Sequence, residues 1–260
     1  MTDHALKRLQ ACSRFGRRLL DANPSLAEEI SLHLNTPFTR AAMQEFIDAP
    51  SCDSEATLHT RLRQLRNRVW VRTTARDLAW LAYLHEVMRT YSDLAEVCLA
   101  AALDFHHAAL VERHGQPLDE HGKPQQMVVV GMGKLGGREL NVSSDIDLIL
   151  LYPEEGKTDG AQSISNHEFF IRLARKLNAA LSEHTADGYV FRVDLRLRPW
   201  GEAGPLAMSY AMLEEYLVTQ GRAWERYAWI KARPLTGERH NELMAIVRPF
   251  VYRKNPDFGA

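Results

Sequence analysis

Between Met127 and Tyr152 the chain reads MVVVGMGKLGGRELNVSSDIDLILLY. An apolar run ends in a glycine-rich turn, a short connector follows, and Asp145-Ile146-Asp147 opens a second apolar run. Successive side chains of a strand alternate faces, so Asp145 and Asp147 point one way and Ile146 points into the core. Two carboxylates so placed suit a hard divalent cation. Mg²⁺ takes oxygen ligands at about 2.0–2.1 Å and is usually held by one or two carboxylates plus substrate phosphates. The upstream glycines let a backbone come close to those phosphates. The stretch reads as a metal-dependent phosphoryl or nucleotidyl transfer site.

Three readings of the glycine turn compete. Gly131-Met132-Gly133-Lys134-Leu135-Gly136 fits GxGxxG, the dinucleotide fingerprint. That fold needs a crossover of at least about 10–12 residues, in practice a full helix, before its next strand. Only Lys134 to Ser144 is available, and Asn141-Val142-Ser143-Ser144 within it is a poor helix. No lone acid closes a second strand about 20 residues on. A Walker A loop cannot be written here either. The third reading is a glycine turn, a spacing of twelve from Gly133 to Asp145-x-Asp147, and a later Asp on a neighbouring strand.

That later Asp lies in Tyr189 to Arg198, the second informative strand. Phe191, Val193, Leu195 and Leu197 fall on one face, and Arg192, Asp194, Arg196 and Arg198 on the other. One alternative is a surface strand with internal ion pairs. The reading favoured gives Asp194 as a third carboxylate and Arg196 and Arg198 as phosphate-facing cations. Gly131, Gly133 and Gly136 permit close backbone approach, which equally suits a tight structural turn. Lys134 is a point charge that meets a phosphate or stays exposed. Ser143 and Ser144 are candidates for phosphate contact or for capping.

Residues 1–120 read as helical. Leu58, Leu62, Leu65 and Val69 recur at helical spacing, as do Leu78, Leu81, Leu84, Met88, Tyr91 and Leu94. Asn23-Pro24-Ser25 and Asn35-Thr36-Pro37 read as helix starts. Residues 61–76 hold six arginines and no acid. A solvated helix face is the first reading of such a run; a phosphate-facing or partner-facing helix is the second. His106-His107 near Asp104 do not share a helix face and read as ordinary helix positions. A polar linker, His114 to Gln126, then leads to the strand at Met127.

After Pro153 a loop runs through Gly160, and Phe169, Leu173, Leu177 and Leu181 mark a helix over Ile164 to His184 that Gly188 ends. Pro205 to Ser209 is a further short strand, Met212 to Thr219 a helix, and Arg222 to Lys231 another. Trp224 reads as a core anchor, with Arg226 and Lys231 able to approach the site. A last helix follows from Arg239, and the end at Gly259-Ala260 looks like a truncation. The division expected is a helical region over 1–120, a catalytic domain over 121–238, and the start of a helical segment over 239–260. The fold class expected is α+β.

Composition narrows the partners. With 260 residues, 45% hydrophobic and 25% charged, the chain suits one large or two small soluble domains. A net charge of −1 argues against a protein built to grip nucleic acid. Cys12, Cys52 and Cys98 form no CxxC and suggest reduced thiols in a cytoplasmic setting. Met1 to Leu20 lacks the apolar stretch of a signal peptide, and no run approaches the ~18–20 apolar residues of a membrane span.

The turn, the spacing and the later Asp resemble the nucleotidyltransferase superfamily that includes polymerase beta. The superfamily commonly has Gly-Ser at the turn where this chain has Gly133-Lys134. The stretches GMGKLGGRELNVSSDIDLILLYP, FRVDLRLRPWGEAGPLAMSY and TQGRAWERYAWIKARPLTG together resemble glutamine synthetase adenylyltransferase. That family's protein carries two related nucleotidyltransferase domains flanking a helical regulatory segment. Asn141-Val142-Ser143-Ser144 and Arg198-Pro199-Trp200-Gly201 resemble its N-terminal, adenylyl-removing domain. The resemblance implies a mixed sheet with helices, Mg²⁺ (two ions) on Asp145, Asp147 and Asp194, and phosphorolysis of adenylyl-tyrosine on glutamine synthetase to give ADP. It also implies a possible PII signalling partner, no nucleic acid and no membrane. The rival expectations are forward AMP transfer from ATP, or a chain that only docks on glutamine synthetase or PII.

Overall fold

The computed structural model describes residues 2–49 and 52–252. The expected helical continuation over 253–260, with the end at Gly259-Ala260, lies outside the described residues. The chain divides into two compact units that interleave in sequence. One takes residues 1–101, 138–144 and 180–192; the other takes 102–137, 145–179 and 193–260.

The first unit is built from helices α1 (Thr2–Cys12), α2 (Arg14–Ala22), α3 (Pro24–His33), α4 (Arg40–Asp48), α5 (Glu55–Leu78) and the residues up to Ala101 of α6 (Leu84–His114). Small hydroxyl residues start three of them. Ser13, Thr39 and Ser54 accept from the amides of Gly16, Ala42 and Thr57, satisfying donors that an opening turn leaves unpaired. α5 is the centre: α1, α3 and α4 pack on it, and Leu58, Leu62, Leu65 and Val69 are buried as their spacing predicts.

Two expectations from punctuation and period are corrected. Pro24 does open α3, but Asn23 turns its amide back to Leu19 O instead of capping. Asn35-Thr36-Pro37 starts no helix; α4 begins at Arg40 behind Thr39. The apolar period from Leu78 to Leu94 is not one helix. α5 stops at Leu78, where Trp80 adopts φ 61, and the amides of Trp80 and Leu81 return to the carbonyls of Asp77 and Arg76. This is a Schellman stop with tryptophan in the place usually held by glycine, so composition gives no warning of it. Leu84 is exposed in consequence.

The arginine-rich face also departs from its first reading. Arg63 is fully buried and donates to the carbonyls of His59, Ala180, Glu183 and Gly188. Arg72 clasps the carbonyls of Thr36 and Pro37, and Arg76 joins Leu34 O and Leu81 O to the Glu86 carboxylate. Arg68 pairs with Glu29. These side chains tie helix ends and loops to α5, because a guanidinium's planar fork of donors suits carbonyls that helix ends leave unpaired.

In the second unit the helices and strands are mixed, giving an α+β architecture. Its elements are β1 (Pro117–Leu118), β2 (Val128–Gly131), α7 (Gly133–Gly136), β3 (Ile146–Tyr152), β4 (Lys157–Thr158), α8 (Asn166–Ser182, to residue 179), β5 (Val193–Asp194), β6 (Met208–Ser209), α9 (Tyr210–Thr219), α10 (Ala223–Trp229), β7 (Arg233–Pro234) and α11 (His240–Val251). β2 lies between β3 and β7 and is antiparallel to both. β5 and β6 pair parallel with the two ends of β3. Val128, Val130, Ile149 and Leu151 close the core with Leu213, Trp229, Leu243 and Val247 from α9–α11.

Here too the boundaries shift. The polar linker over 114–126 contains β1, which pairs antiparallel with β4 in the expected loop after Pro153. α8 ends at Ser182, six residues before Gly188, which instead sits in a tight turn paired with Thr185. The strand expected over Tyr189 to Arg198 shrinks to Val193–Asp194, because the chain turns directly afterwards. α10 stops at Trp229, and Ala232 to Leu235 leads into the sheet. Trp224 is half exposed and Trp229 is the buried anchor, since Glu225 and Trp229 share the inward face of α10. By length and composition α6 could cross a membrane, and half of its apolar window is buried. Ser92, Asp93 and Glu96 break a strict apolar run there, while the alanines and leucines keep its average high.

Candidate functional site

The carboxylates are brought together by strand register. In the parallel pairing of β3 with β5, Ile146 faces Val193 and Asp147 faces Asp194. Ile146 is fully buried, Asp147 half-buried, and Asp145 is exposed one residue before the strand. The alternation read from Asp145-Ile146-Asp147 holds. The neighbour that completes the set is supplied by a connection of more than forty residues.

The glycine turn sits against this pair. Met132 N donates to Asp147 O at 2.9 Å, continuing the β2–β3 ladder. Gly133 has φ +52, and a Cβ there would lie 3.3 Å from Asp147 Oδ2. The turn then winds into the single-turn helix α7, closed by Gly136 N to Met132 O and Gly137 N to Gly133 O. Lys134 on α7 is exposed, and its charge acts on Asp147.

The electrostatics of neighbouring carboxylates diverge. Burial pushes the Asp147 carboxyl up, and the charges of Asp194 and Asp145 add to the push while Arg196 and Lys134 oppose it. Asp194 is held below the usual carboxylate range by Arg196. That guanidinium grips both Asp194 oxygens at 2.6–3.0 Å, and Arg196 N donates to Oδ1 at 2.8 Å. Asp145 and Asp194 both repel Asp147, and hard oxygen donors so grouped match the donor set of a divalent cation, which would remove that repulsion.

Other residues singled out from the sequence do different things. Arg198 was expected beside Asp194 on one strand face. The turn after Asp194 instead buries it, and its three nitrogens donate to the carbonyls of Leu195, Glu202 and Gly204. Gly136 is required by packing: a Cβ would come within 2.0 Å of Lys231 O and 2.5 Å of Gly131 O. Gly131 lies in β2 under Leu135 and Leu235. Ser143 and Ser144 belong to the first unit, where Ser143 O accepts from Arg192 and Ser144 turns back on Asn141. Arg226 lies over the Phe250 ring at 4.8 Å, within the α10–α11 packing.

Sequence reasoning passed over Arg233, which fixes the turn, and Thr236, which fixes the start of β2. Arg233 donates to the carbonyls of Leu135 and Gly136, capping α7. Thr236 Oγ1 accepts from Val129 N and donates to Met127 O. The signal was present in the stretch Arg233-Pro234-Leu235-Thr236-Gly237, where proline ends a strand and the flanking polar residues have no periodic reason to be there.

Residues 4–245 match the family model described as glutamate-ammonia ligase adenylyltransferase. Three relatives carry the name bifunctional glutamine synthetase adenylyltransferase/adenylyl-removing enzyme. That of Nitrosomonas eutropha is 54% identical over 95% of this chain, that of Chromobacterium violaceum 52% over 100%, and that of Burkholderia mallei 48% over 100%. The chain spans 28–30% of the length of these relatives. By the match across its helical and mixed portions alike, the chain belongs to the glutamate-ammonia ligase adenylyltransferase family.

Proposed function

We propose that the chain carries a nucleotidyltransferase centre of the polymerase beta type, within a catalytic portion over 121–238, that removes AMP from adenylyl-tyrosine of glutamine synthetase by phosphorolysis. The observation that carries this reading is the register that sets Asp147 opposite Asp194 beside the Gly133 turn. The direction rests on Asn141-Val142-Ser143-Ser144 and Arg198-Pro199-Trp200-Gly201, which resemble the removing half of the family. The setting is the cytoplasm, with glutamine synthetase as protein substrate and PII as a regulatory partner.

Asp145, Asp147 and Asp194 would hold Mg²⁺. When bound, the cation supplies charge neutralisation at the phosphoryl oxygens and at the leaving oxygen. The chain's own groups do the rest. Gly131 and Gly133 keep the turn open to a nucleotide phosphate, and Lys134 offers it a point charge. Gly136 lets the turn pack closely, and Ser143 and Ser144 lead the backbone into Asp145. Arg196 faces the incoming phosphate while orienting Asp194. Arg198 braces the loop that presents both. A phosphate oxygen bonds to the adenylyl phosphorus as the bond to the tyrosine oxygen breaks; the electron pair leaves on the phenolate, and ADP forms. Phosphate arrives as an anion, so no general base is required, and preorganised charge carries the catalysis.

The test is incubation with adenylylated glutamine synthetase, Mg²⁺ and orthophosphate, following ADP. Phosphate-dependent ADP that disappears in Asp145→Asn and Asp147→Asn supports the reading. AMP transfer from ATP onto unmodified glutamine synthetase would reverse the direction. Silence in both assays, with Mg²⁺ bound, would reduce the chain to a docking element.

A further inference from the structure

Five of the six arginines on α5 make contacts to carbonyls or carboxylates that account for their placement. Arg63, Arg68, Arg72 and Arg76 are described above, and Arg61 donates to Ile47 O. Arg66 differs. Its guanidinium is half-buried and lies over the rings of Phe15 and Tyr189 at 4.9 and 5.6 Å. Its hydrogen bond goes to the neutral amide oxygen of Asn67 at 3.1 Å. Among the described residues it has no carboxylate partner. Burial pushes its pKa down, as it does for Arg63 and Arg72, but where those two hold carbonyls Arg66 has aromatic ring faces and one amide oxygen. Such a charge is expensive to keep unless an anion meets it.

A second, independent observation lies beside it. Arg66, Tyr91, Ser143, Ser144, Tyr189 and Arg192 line a cavity of about 20 Å³ within the first unit. Tyr91 is 1% exposed, and its hydroxyl has no hydrogen-bond partner among the described residues. Thr74 is near enough to act on the phenol, yet neither hydroxyl makes a hydrogen bond of normal geometry. Buried hydroxyls are almost always paired, so an orphan hydroxyl on a residue that lines the cavity leaves hydrogen-bonding capacity for a group seated there. Arg192 holds Ser143 O at 2.9 Å and so fixes the serine edge of the pocket. The cavity exceeds the ~10–15 Å³ that seats one water, so it takes one oxygen or two of a larger group whose remainder sits at the mouth.

We propose that this pocket is an oxyanion site, in which Arg66 and the Tyr91 hydroxyl bind a phosphate group. The inference does not rest on the adenylyl-removing reading: the groups it uses are Arg66 and the Tyr91 hydroxyl, and Ser143 and Ser144 are the residues of that centre that also line the pocket. Inorganic phosphate and the terminal phosphate of a nucleotide share the chemistry, and the test separates them.

The experiment titrates the whole chain with inorganic phosphate at constant ionic strength, without Mg²⁺, reading thermal stability and calorimetric Kd. A ligand that binds the native state stabilises by RT ln(1 + [L]/Kd), so phosphate raises Tm progressively. Arg66→Met is expected to weaken binding by about 10- to 100-fold, the worth of a hydrogen bond to a charged group. Tyr91→Phe keeps the packing and removes only the orphan hydroxyl. It is expected to fold with unchanged or higher Tm in the absence of phosphate, and to bind phosphate about tenfold more weakly. Arg66→Lys retains a charge and a long stem and falls between, which covers the case of Arg66→Met failing to fold. Repeating the titration with ADP assigns the source: tighter ADP binding with the same Arg66 and Tyr91 dependence means a nucleotide phosphate, and phosphate alone means the free anion. The proposal is overturned if the wild-type chain shows no phosphate response up to about 50 mM, or if Tyr91→Phe and Arg66→Lys both bind as the wild type does.

Discussion

Arg63 offers a direct measure of how α5 organises the first unit. Its guanidinium is fully buried and reaches four backbone carbonyls. Replacing it with methionine keeps most of the stem volume and removes every donor. The loss differs among the four. Gly188 O also receives Thr185 N, and His59 O lies inside a helix that continues past it. Ala180 O and Glu183 O sit at the end of α8, where helix carbonyls have no ladder partner. Two orphaned acceptors cost about 1–3 kcal/mol each, and removing the buried charge returns part of that. Arg63→Met should therefore lose about 3 kcal/mol, a large share of the ~5–15 kcal/mol typical of a folded domain. With a urea m-value of about 2 kcal/mol/M, the midpoint should fall by about 1.5 M. Urea titration by far-UV circular dichroism reads this, with Arg17→Met as control, because the exposed Arg17 side chain donates, among the described residues, only to Gln10 O and should move stability by under about 0.5 kcal/mol. A midpoint shift for Arg63→Met no larger than that of Arg17→Met would refute the reasoning, and the carbonyl contacts of Arg63 would then contribute no net stability.

Gly136→Ala should destabilise at or beyond the upper end of the ~1–3 kcal/mol seen for overpacking, because its Cβ meets backbone oxygens at 2.0 and 2.5 Å; thermal unfolding checks it. Asp147→Asn should leave stability at neutral pH equal or higher without Mg²⁺. Its carboxyl is pushed up by burial and by Asp194 and Asp145, so its folded pKa lies above its unfolded one. The contribution to stability is present in acid and lost as pH rises through the folded pKa. The Tm difference between variant and wild type should accordingly shrink or reverse in acid; a less stable variant at neutral pH would contradict this. Glu225→Ala should cost about 1–3 kcal/mol for each partner left unpaired. Buried Glu225 accepts from Tyr216 OH at 2.7 Å and from Arg222 N at 2.8 Å, and urea unfolding would reveal the loss.

The strands flanking the glycine turn were legible because one continuous stretch carries both the apolar runs and the alternation of Asp145-Ile146-Asp147. The short connector likewise excluded a crossover helix, and the structure has only the four residues of α7 there. In the first unit, apolar spacing marked the body of α5 and the start of α6, while α1 to α4 were covered by the broad helical reading of residues 1–120. What the spacing missed was the stop at Trp80. It is made by backbone hydrogen bonds that any residue able to reach a positive φ can make, so no glycine announced it. Trp224 and Trp229 carry the same composition signal, and only the placement of α10 on α9 and α11 decides which is buried.

The sequence by itself determined the local chemistry: two acids on one strand face, glycines before them, an acid among arginines after them, and helices where apolar residues recur. Those are properties of neighbours along the chain, set by pleat and helical period. The tertiary structure decided which of these groups meet. Parallel pairing of β3 with β5 put Asp194 across from Asp147, and the turn after it sent Arg196 to that carboxylate and Arg198 into carbonyls. On α5 it gave five arginines partners from other helices, loops and helix ends, and left Arg66 without an anion among the described residues. Pairing and burial are set by segments far apart in sequence, and the charge run of α5 contains no trace of where its partners lie.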